Sequence, residues 1–198
     1  ISNVLAGLFS LAGATDVAVF ESCIRVSNQL KKFTHEGVPD IRVIVFRGIP
    51  IMAMMRLSCT ASQGKANLHQ GAIGVGLDMA TGKAINAIQN DQPITVHPDT
   101  QQNLLELQVD NWQQLVRLSC ECADMTGLGY LGVDLVVDER SGPMLLELNA
   151  RPGLSIQMAN NQGLLPRLKV VEAIKRPEKM TIEEKIDFAA KEFSFAAG

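Results

Sequence analysis

The segment GYLGVDLVVDERSGPMLLELNARPG, residues 129–153, is apolar at most positions yet carries Asp134, Glu147 and Asn149 in its interior. Its polar run DERSGP, residues 138–143, reads as a turn joining two strands. Pairing Val137 with Met144 across that turn sets Asp134 opposite Glu147 and Gly132 opposite Asn149, provided the ribbon carries no bulge. Side chains alternate between the faces of a strand, so Asp134, Glu147 and Asn149 share one face. Leu131, Val133, Leu135, Val137, Leu146 and Leu148 share the other, which is expected to be a core surface.

Directly opposed side chains have Cβ atoms about 4.5–5.5 Å apart, and like charges there repel. A hard divalent cation would relieve that repulsion, since Mg²⁺ takes one or two carboxylates and completes its octahedron with water and phosphate oxygens. Gly132 opposite Asn149 is expected to leave room for a ligand to approach. The plainer alternative is a solvated hairpin face whose acids meet only water.

Outward from this hairpin, residues 111–126 place Trp112, Leu115, Val116, Leu118, Ser119 and Cys122 near helical spacing, with Gly127 suited to the cap. DIRVIVFRGIPIMAMMRLSC, residues 40–59, reads as two strands around Arg47-Gly48. Residues 60–88 begin as a polar loop and become two more strands around 80–82, followed by a loop over 89–100. DVAVFESCIRVS, residues 16–27, mixes β-branched and apolar residues and reads as a strand, with a loop over 28–39 after it. The opening ISNVLAGLFSLAG reads as a buried helix. Shorter helices are expected over 155–162, 165–173 and 181 to about 195, the last opened by a Thr181/Glu184 capping box. Antiparallel strands with helices gathered around them imply an α+β layer structure.

The 198 residues are 46% hydrophobic, enough to fill a core, and no repeat or low-complexity tract divides them. A net charge of −3 argues against nucleic acid or an anionic membrane surface as partner. Cys23, Cys59, Cys120 and Cys122 form no CxxC pair and read as reduced thiols in a cytoplasmic protein. His35, His69 and His97 are too scattered for a metal cluster, and His69 reads as loop structure. GLGYLG, residues 127–132, matches GxGxxG but follows a helix and enters a strand, the reverse of the dinucleotide-binding context. Gly71, Gly74 and Gly76 read as positions of close backbone approach or a bulge rather than phosphate ligands.

The motifs GVDLVVD and GPMLLELNARPG resemble the ATP-grasp signature of RimK-type α-L-glutamate ligases, most of all the related α-L-glutamate ligase-like proteins. PDIRVIVF is similar to that family's Asp-Ile-Arg strand, and GKANLHQGA to its Arg-Ser-Asn-Leu-His-x-Gly-Gly loop. The resemblance implies an ATP-grasp fold, a mainly antiparallel sheet with flanking helices. It implies one C-terminal nucleotide- and Mg-binding domain over 1–198, with 175–198 as a helical extension. An N-terminal subdomain contributing phosphate-gripping lysines would precede it, and this chain starts too late to include one; alone it would bind ATP weakly. The implied metal ligands are Asp134, Glu147 and Asn149, for Mg²⁺ or Mn²⁺. Glu21 and Ser22 would meet the adenine edge, Asp40 the ribose hydroxyls, and Lys65, Ala66 and Asn67 would form the loop contacting the nucleotide. Arg42 and Arg56 would orient the activated carboxylate or the moving phosphoryl group, and Arg151 would hold the acyl phosphate. Lys65 stands where the RimK pattern has Arg, and Arg151 where it has Ser.

The implied reaction joins a carboxylate of an amino acid, peptide or other small molecule to an amine through an acyl phosphate made from ATP. It needs no enzyme nucleophile, which agrees with the lack of a GxSxG elbow or Cys/His signature. Two further readings use the same acids: a noncatalytic ATP/Mg-binding or interaction module, and a Mg-dependent phosphotransferase or hydrolase. The sequence leaves homo-oligomerisation open.

Overall fold

A computed structural model describes residues 1–195. Its elements run α1 (Ser2–Leu5), α2 (Asn28–Lys31), β1 (Asp40–Phe46), β2 (Ile49–Leu57), β3 (Ile73–Leu77), β4 (Ala84–Gln89), β5 (Gln92–Pro93), α3 (Trp112–Thr126), β6 (Tyr130–Asp138), β7 (Gly142–Asn149), α4 (Ile156–Ala159), α5 (Leu164–Glu172) and α6 (Ile182–Phe193), with short 3₁₀ turns between. The strands form one antiparallel sheet of order β5-β4-β3-β2-β1-β6-β7. Each hairpin expected from sequence forms; among the described strands, β1 and β6 are the paired neighbours that lie far apart in the chain.

The strand registers sort side chains into rows. Ile41, Val43, Met55, Ala53, Val75, Val133 and Leu135 share one face and are fully buried. α3 packs on β1, β2 and β6, and α6 packs on α3 and β2. α3 ends at Gly127 as its apolar spacing predicts, and Thr181 opens α6 with a reciprocal capping box to Glu184. The expected extension over 175–198 is helical from Ile182 to Phe193; residues 196–198 lie outside the described residues.

The other face carries Asp40, Arg42, Arg56, Asp134 and Glu147, with Gly74 and Gly76 beside them on β3. α4 lies over this face, touching β2, β3 and β4. Gly76 makes that approach possible, because a Cβ there would sit 2.4 Å from the Ala159 carbonyl oxygen. Asn86 Nδ2 then donates to the same oxygen at 3.0 Å, and Asn160 Nδ2 donates to the Ala53 oxygen at 2.9 Å.

Several expectations fail for physical reasons. Residues 16–24 form no strand: Val17, Val19 and Phe20 are exposed, and β propensity acts only when a neighbouring strand and a packed face exist. Only Val26 bridges Asp138. The opening segment is not a buried helix but a single turn, α1, with Leu8, Phe9 and Leu11 exposed. Residues 28–39 begin with the helical turn α2 rather than a pure loop, and 89–100 contains β5. Leu146, expected in the core, is 53% exposed, because on the edge strand β7 it falls at a bulge that drops it from the ladder. Among the described residues, no helix is long and apolar enough to cross a membrane.

Candidate active site

The β6–β7 hairpin departs from the simplest register twice, and the two departures cancel. Its turn is tighter by one residue, pairing Val137 with Pro143 and Val136 with Met144. A bulge between Asp134 and Leu135 on the ladder, which leaves Leu146 unmatched, then shifts the pairing back. Asp134 therefore faces Glu147 and Gly132 faces Asn149, as the simple reading of the sequence requires. The space expected over Gly132 is filled, however. A Cβ on Gly132 would lie 2.6 Å from Pro152 Cβ, so the glycine admits the chain after β7 rather than a ligand.

Two of the predicted arginines converge on Asp134. Arg42, its direct cross-strand partner, donates through Nε to Oδ1 at 2.7 Å and through NH2 to Oδ2 at 2.5 Å. Arg56 donates through NH2 to Oδ2 at 2.9 Å, and through Nε to Asp40, which faces it on β1. The four side chains form an alternating chain of charge, Asp40, Arg56, Asp134, Arg42, in which all but the half-buried Arg56 are buried. Such a cluster is viable only because each charge is desolvated against an opposite one. Burial pushes the Asp40 carboxyl up to about 6; Arg56 opposes the push and the charge of Asp134 adds to it. Burial pulls the Arg56 guanidinium down, and Asp40 and Asp134 more than offset that.

Arg42, Met54, Arg56, Asn67, Leu68, His69, Gly153 and Ser155 line one cavity of about 290 Å³. A 3₁₀ turn, Leu68–Gln70, brings the polar loop here: Asn67 Oδ1 caps it by accepting from the His69 N–H at 3.0 Å. Of the predicted site residues, Arg42, Arg56 and Asn67 thus meet at one cavity, with Asp40 and Asp134 bound to the arginines. Lys65 is exposed and Ala66 half-buried just before the turn. Ser22 lines a different cavity, with Arg25, Asp138, Arg140, Ser141 and Met144 near the hairpin tip, and Glu21 is exposed beside it. Arg151 is exposed, and its backbone N–H donates to Asn149 Oδ1 at 2.9 Å.

The oxygen trio fits a hard divalent cation. Glu147 is exposed, and among the described residues it makes no salt bridge. Asp134 Oδ1 accepts one bond and Asn149 Oδ1 one, so each keeps a lone pair. Two carboxylates and an amide oxygen are the donor chemistry that Mg²⁺ uses with phosphate ligands; here Glu147 is exposed, Asn149 half-buried and Asp134 buried against the two arginines. Among the described residues, no group of three His, Cys, Asp or Glu side chains is placed to hold a metal ion.

Met54, Leu68, His69, Gly153 and Ser155 escaped the sequence reading. Met54 had a signal, because it alternates with Arg56 on β2 and must share its face. Ser155 had none, since only the path of the chain after β7 brings it over the sheet.

The model of sugar-transfer associated ATP-grasp proteins matches residues 1–173. The chain belongs to this ATP-grasp family. Its antiparallel sheet with flanking helices is the ATP-grasp fold. No curated protein matches the chain. Among solved structures, the ATP-grasp ligase PsnB, complexed with a phosphomimetic variant of minimal precursor, Mg and ADP, matches at 16% sequence identity and a TM-score of 0.37. The match covers 73% of this chain and 35% of that one, so this ATP-grasp chain spans about a third of that ligase.

Proposed function

We propose that this ATP-grasp chain belongs to an ATP-dependent carboxylate–amine ligase working through an acyl phosphate, with α6 as a helical extension of the domain. One observation carries the reading: Arg42 and Arg56 are bound to Asp134 at the wall of one cavity, next to a hairpin that presents Glu147 and Asn149 on the same face.

In this reading a carboxylate oxygen of the substrate attacks the γ-phosphorus of ATP, and ADP departs with the bridging electron pair. The amine nitrogen then attacks the acyl carbon, phosphate leaves with the acyl C–O electrons, and the nitrogen loses a proton. Both steps move negative charge between oxygens, so fixed cations and exact placement supply most of the rate. The guanidiniums of Arg42 and Arg56 hold the carboxylate and the moving phosphoryl group, and Arg151 adds a third cation on the loop after the hairpin. Asp134, Glu147 and Asn149 would hold Mg²⁺ or Mn²⁺, which draws charge off the phosphate oxygens. Asn67 and its neighbours Lys65 and Ala66 approach the nucleotide from the loop side, Asp40 its ribose, and Glu21 and Ser22 its adenine. Asp40 shares its carboxylate with Arg56 in doing so.

The finer substrate reading, a RimK-like glutamate ligase, rests on the motif resemblance. The family's association with sugar transfer favours substrates that carry a sugar or sugar acid alongside amino acids. The four free cysteines suit a reducing, cytoplasmic setting.

The test is release of phosphate from Mg·ATP by the intact protein, given pooled amino acids and sugar acids, with mass spectrometry of the products. Asp134→Asn and Glu147→Gln should each abolish amine-dependent phosphate release. Release that needs no amine would identify a hydrolase or phosphotransferase instead, and unchanged turnover in both variants would remove the metal assignment.

A further inference from the structure

The arginine fork is the part of a guanidinium that matches a carboxylate or two phosphoryl oxygens, because two parallel N–H groups meet two parallel oxygens. In this protein the Arg42 fork is taken: Nε and NH2 both point at Asp134, one on each oxygen. Arg56 divides its own donors between Asp134 and Asp40. Both residues line the cavity that an anionic substrate would enter. The same carboxylate also faces Glu147 across the hairpin and lies where a cation would be shared with Asn149.

We infer that Asp134 is an exchange point between two kinds of positive charge, and that a divalent cation bound at Asp134, Glu147 and Asn149 frees the Arg42 fork to take an oxyanion in the cavity. This rests on the ligase reading for the position of the cation, and on the geometry above for the competition. A carboxylate has about four lone-pair sites. Three are used by Arg42 and Arg56 in the structure, two of them on Oδ2. A cation approaching from the Glu147 side adds its charge to that carboxylate, weakening its hold on the guanidiniums. Arg42 then has a free planar fork at the cavity wall. The consequence is order: the oxyanion site is weak until the cation is in place, which suppresses unproductive binding of the carboxylate substrate. By linkage, cation and oxyanion each raise the other's affinity by the same factor.

The experiment uses the intact protein without nucleotide, Mg²⁺ as the cation and sulfate as the oxyanion probe, followed by calorimetry. Saturating Mg²⁺ should tighten sulfate binding by roughly five- to a hundredfold, the usual range of coupled sites. Arg42→Lys keeps the charge but lacks the fork. It should bind Mg²⁺ more tightly than wild type in the absence of sulfate and should lose most of the coupling. In wild-type protein labelled with ¹⁵N-arginine, Mg²⁺ alone should shift the Arg42 and Arg56 Nε–H resonances and speed their exchange with water, a readout that does not depend on how the variant folds. Mg²⁺ binding with unmoved arginine resonances overturns the inference and leaves the metal assignment standing. Coupling that survives intact in Arg42→Lys overturns it too, since sulfate would then be meeting the metal directly. Failure of Mg²⁺ to bind at all removes both this inference and the metal assignment beneath it.

Discussion

Asp134 on β6 lies directly across from Glu147 on β7, and it does so because a tight turn and a bulge at Leu146 offset each other. Without the bulge, the tight turn would bring Leu146 opposite Asp134 and carry Glu147 one residue further along, onto the other face. The bulge therefore has a chemical purpose in the proposed site: it keeps two carboxylates on one face. A chain lacking Leu146 would lose the bulge, yet the tight-turn register would then carry Glu147 into the place opposite Asp134. Deletion of Leu146 is thus expected to preserve Mg²⁺ binding, whereas an alanine inserted after Leu146 should abolish it. Calorimetric titration of both variants with Mg²⁺ checks this, and equal affinities in the two would refute the register argument.

Asp134 also holds two guanidiniums, one buried and one half-buried, and its removal should be felt in stability. Asp134→Ala leaves Arg42 without its partner in a site where Arg42 is 9% exposed. Breaking a buried pair from one side costs about 3–5 kcal/mol. Replacing both partners with apolar residues, Arg42→Met with Asp134→Leu, should recover much of that loss, because no uncompensated charge remains. Urea unfolding of the single and double variants measures both values; a double variant no more stable than Asp134→Ala would argue against the ion pair as the cause.

How much of this could be read beforehand depended on the range of the interactions. Local hairpins, the α3 pattern and the Thr181/Glu184 cap were legible because their signals sit within a few residues of each other. The shared face of Asp134, Glu147 and Asn149 was legible for the same reason, although the bulge that secures it was not. The ion-pair chain was hidden, since it requires β1 to lie beside β6, and nothing between residues 46 and 130 announces that pairing. The false strand over 16–27 shows the opposite error: its composition suits a sheet, but among the described residues no strand runs beside Val17 to Phe20.

Gly132 offers a test of close packing next to the proposed metal site. An alanine there would put its Cβ 2.6 Å from Pro152 Cβ. The loop after β7 would have to shift, at a cost of about 1–3 kcal/mol. Gly132→Ala should lower the thermal midpoint and weaken Mg²⁺ binding, because that loop begins right after Asn149 and carries Arg151. Adding Pro152→Gly should restore part of the loss; no rescue would mean that the strain lies elsewhere.

Asp138, at the tip of β6, ties the extended N-terminal segment to the hairpin and should show itself in acid. Its Oδ2 accepts the Arg25 N–H at 2.7 Å, and Oδ1 accepts those of Ser141 at 2.8 Å and Arg140 at 2.9 Å. The Arg25 bond first, then the Ser141 and Arg140 bonds, hold the carboxyl down at about 2, below its ordinary 3.8. A depressed pKa means that the unfolded chain binds the proton more readily than the folded one. The stabilisation is therefore complete above about pH 4, falls as the pH drops, and is gone below about pH 2. Asp138→Asn keeps an acceptor but removes this dependence. Its urea midpoint should lie below that of wild type at pH 7, and the two should draw together between pH 4 and 2. Hydrogen exchange at the amides of Arg25, Arg140 and Ser141 should be faster in the variant at neutral pH. Acid curves that stay parallel over that window would show that Asp138 does not carry the acid sensitivity of the tether.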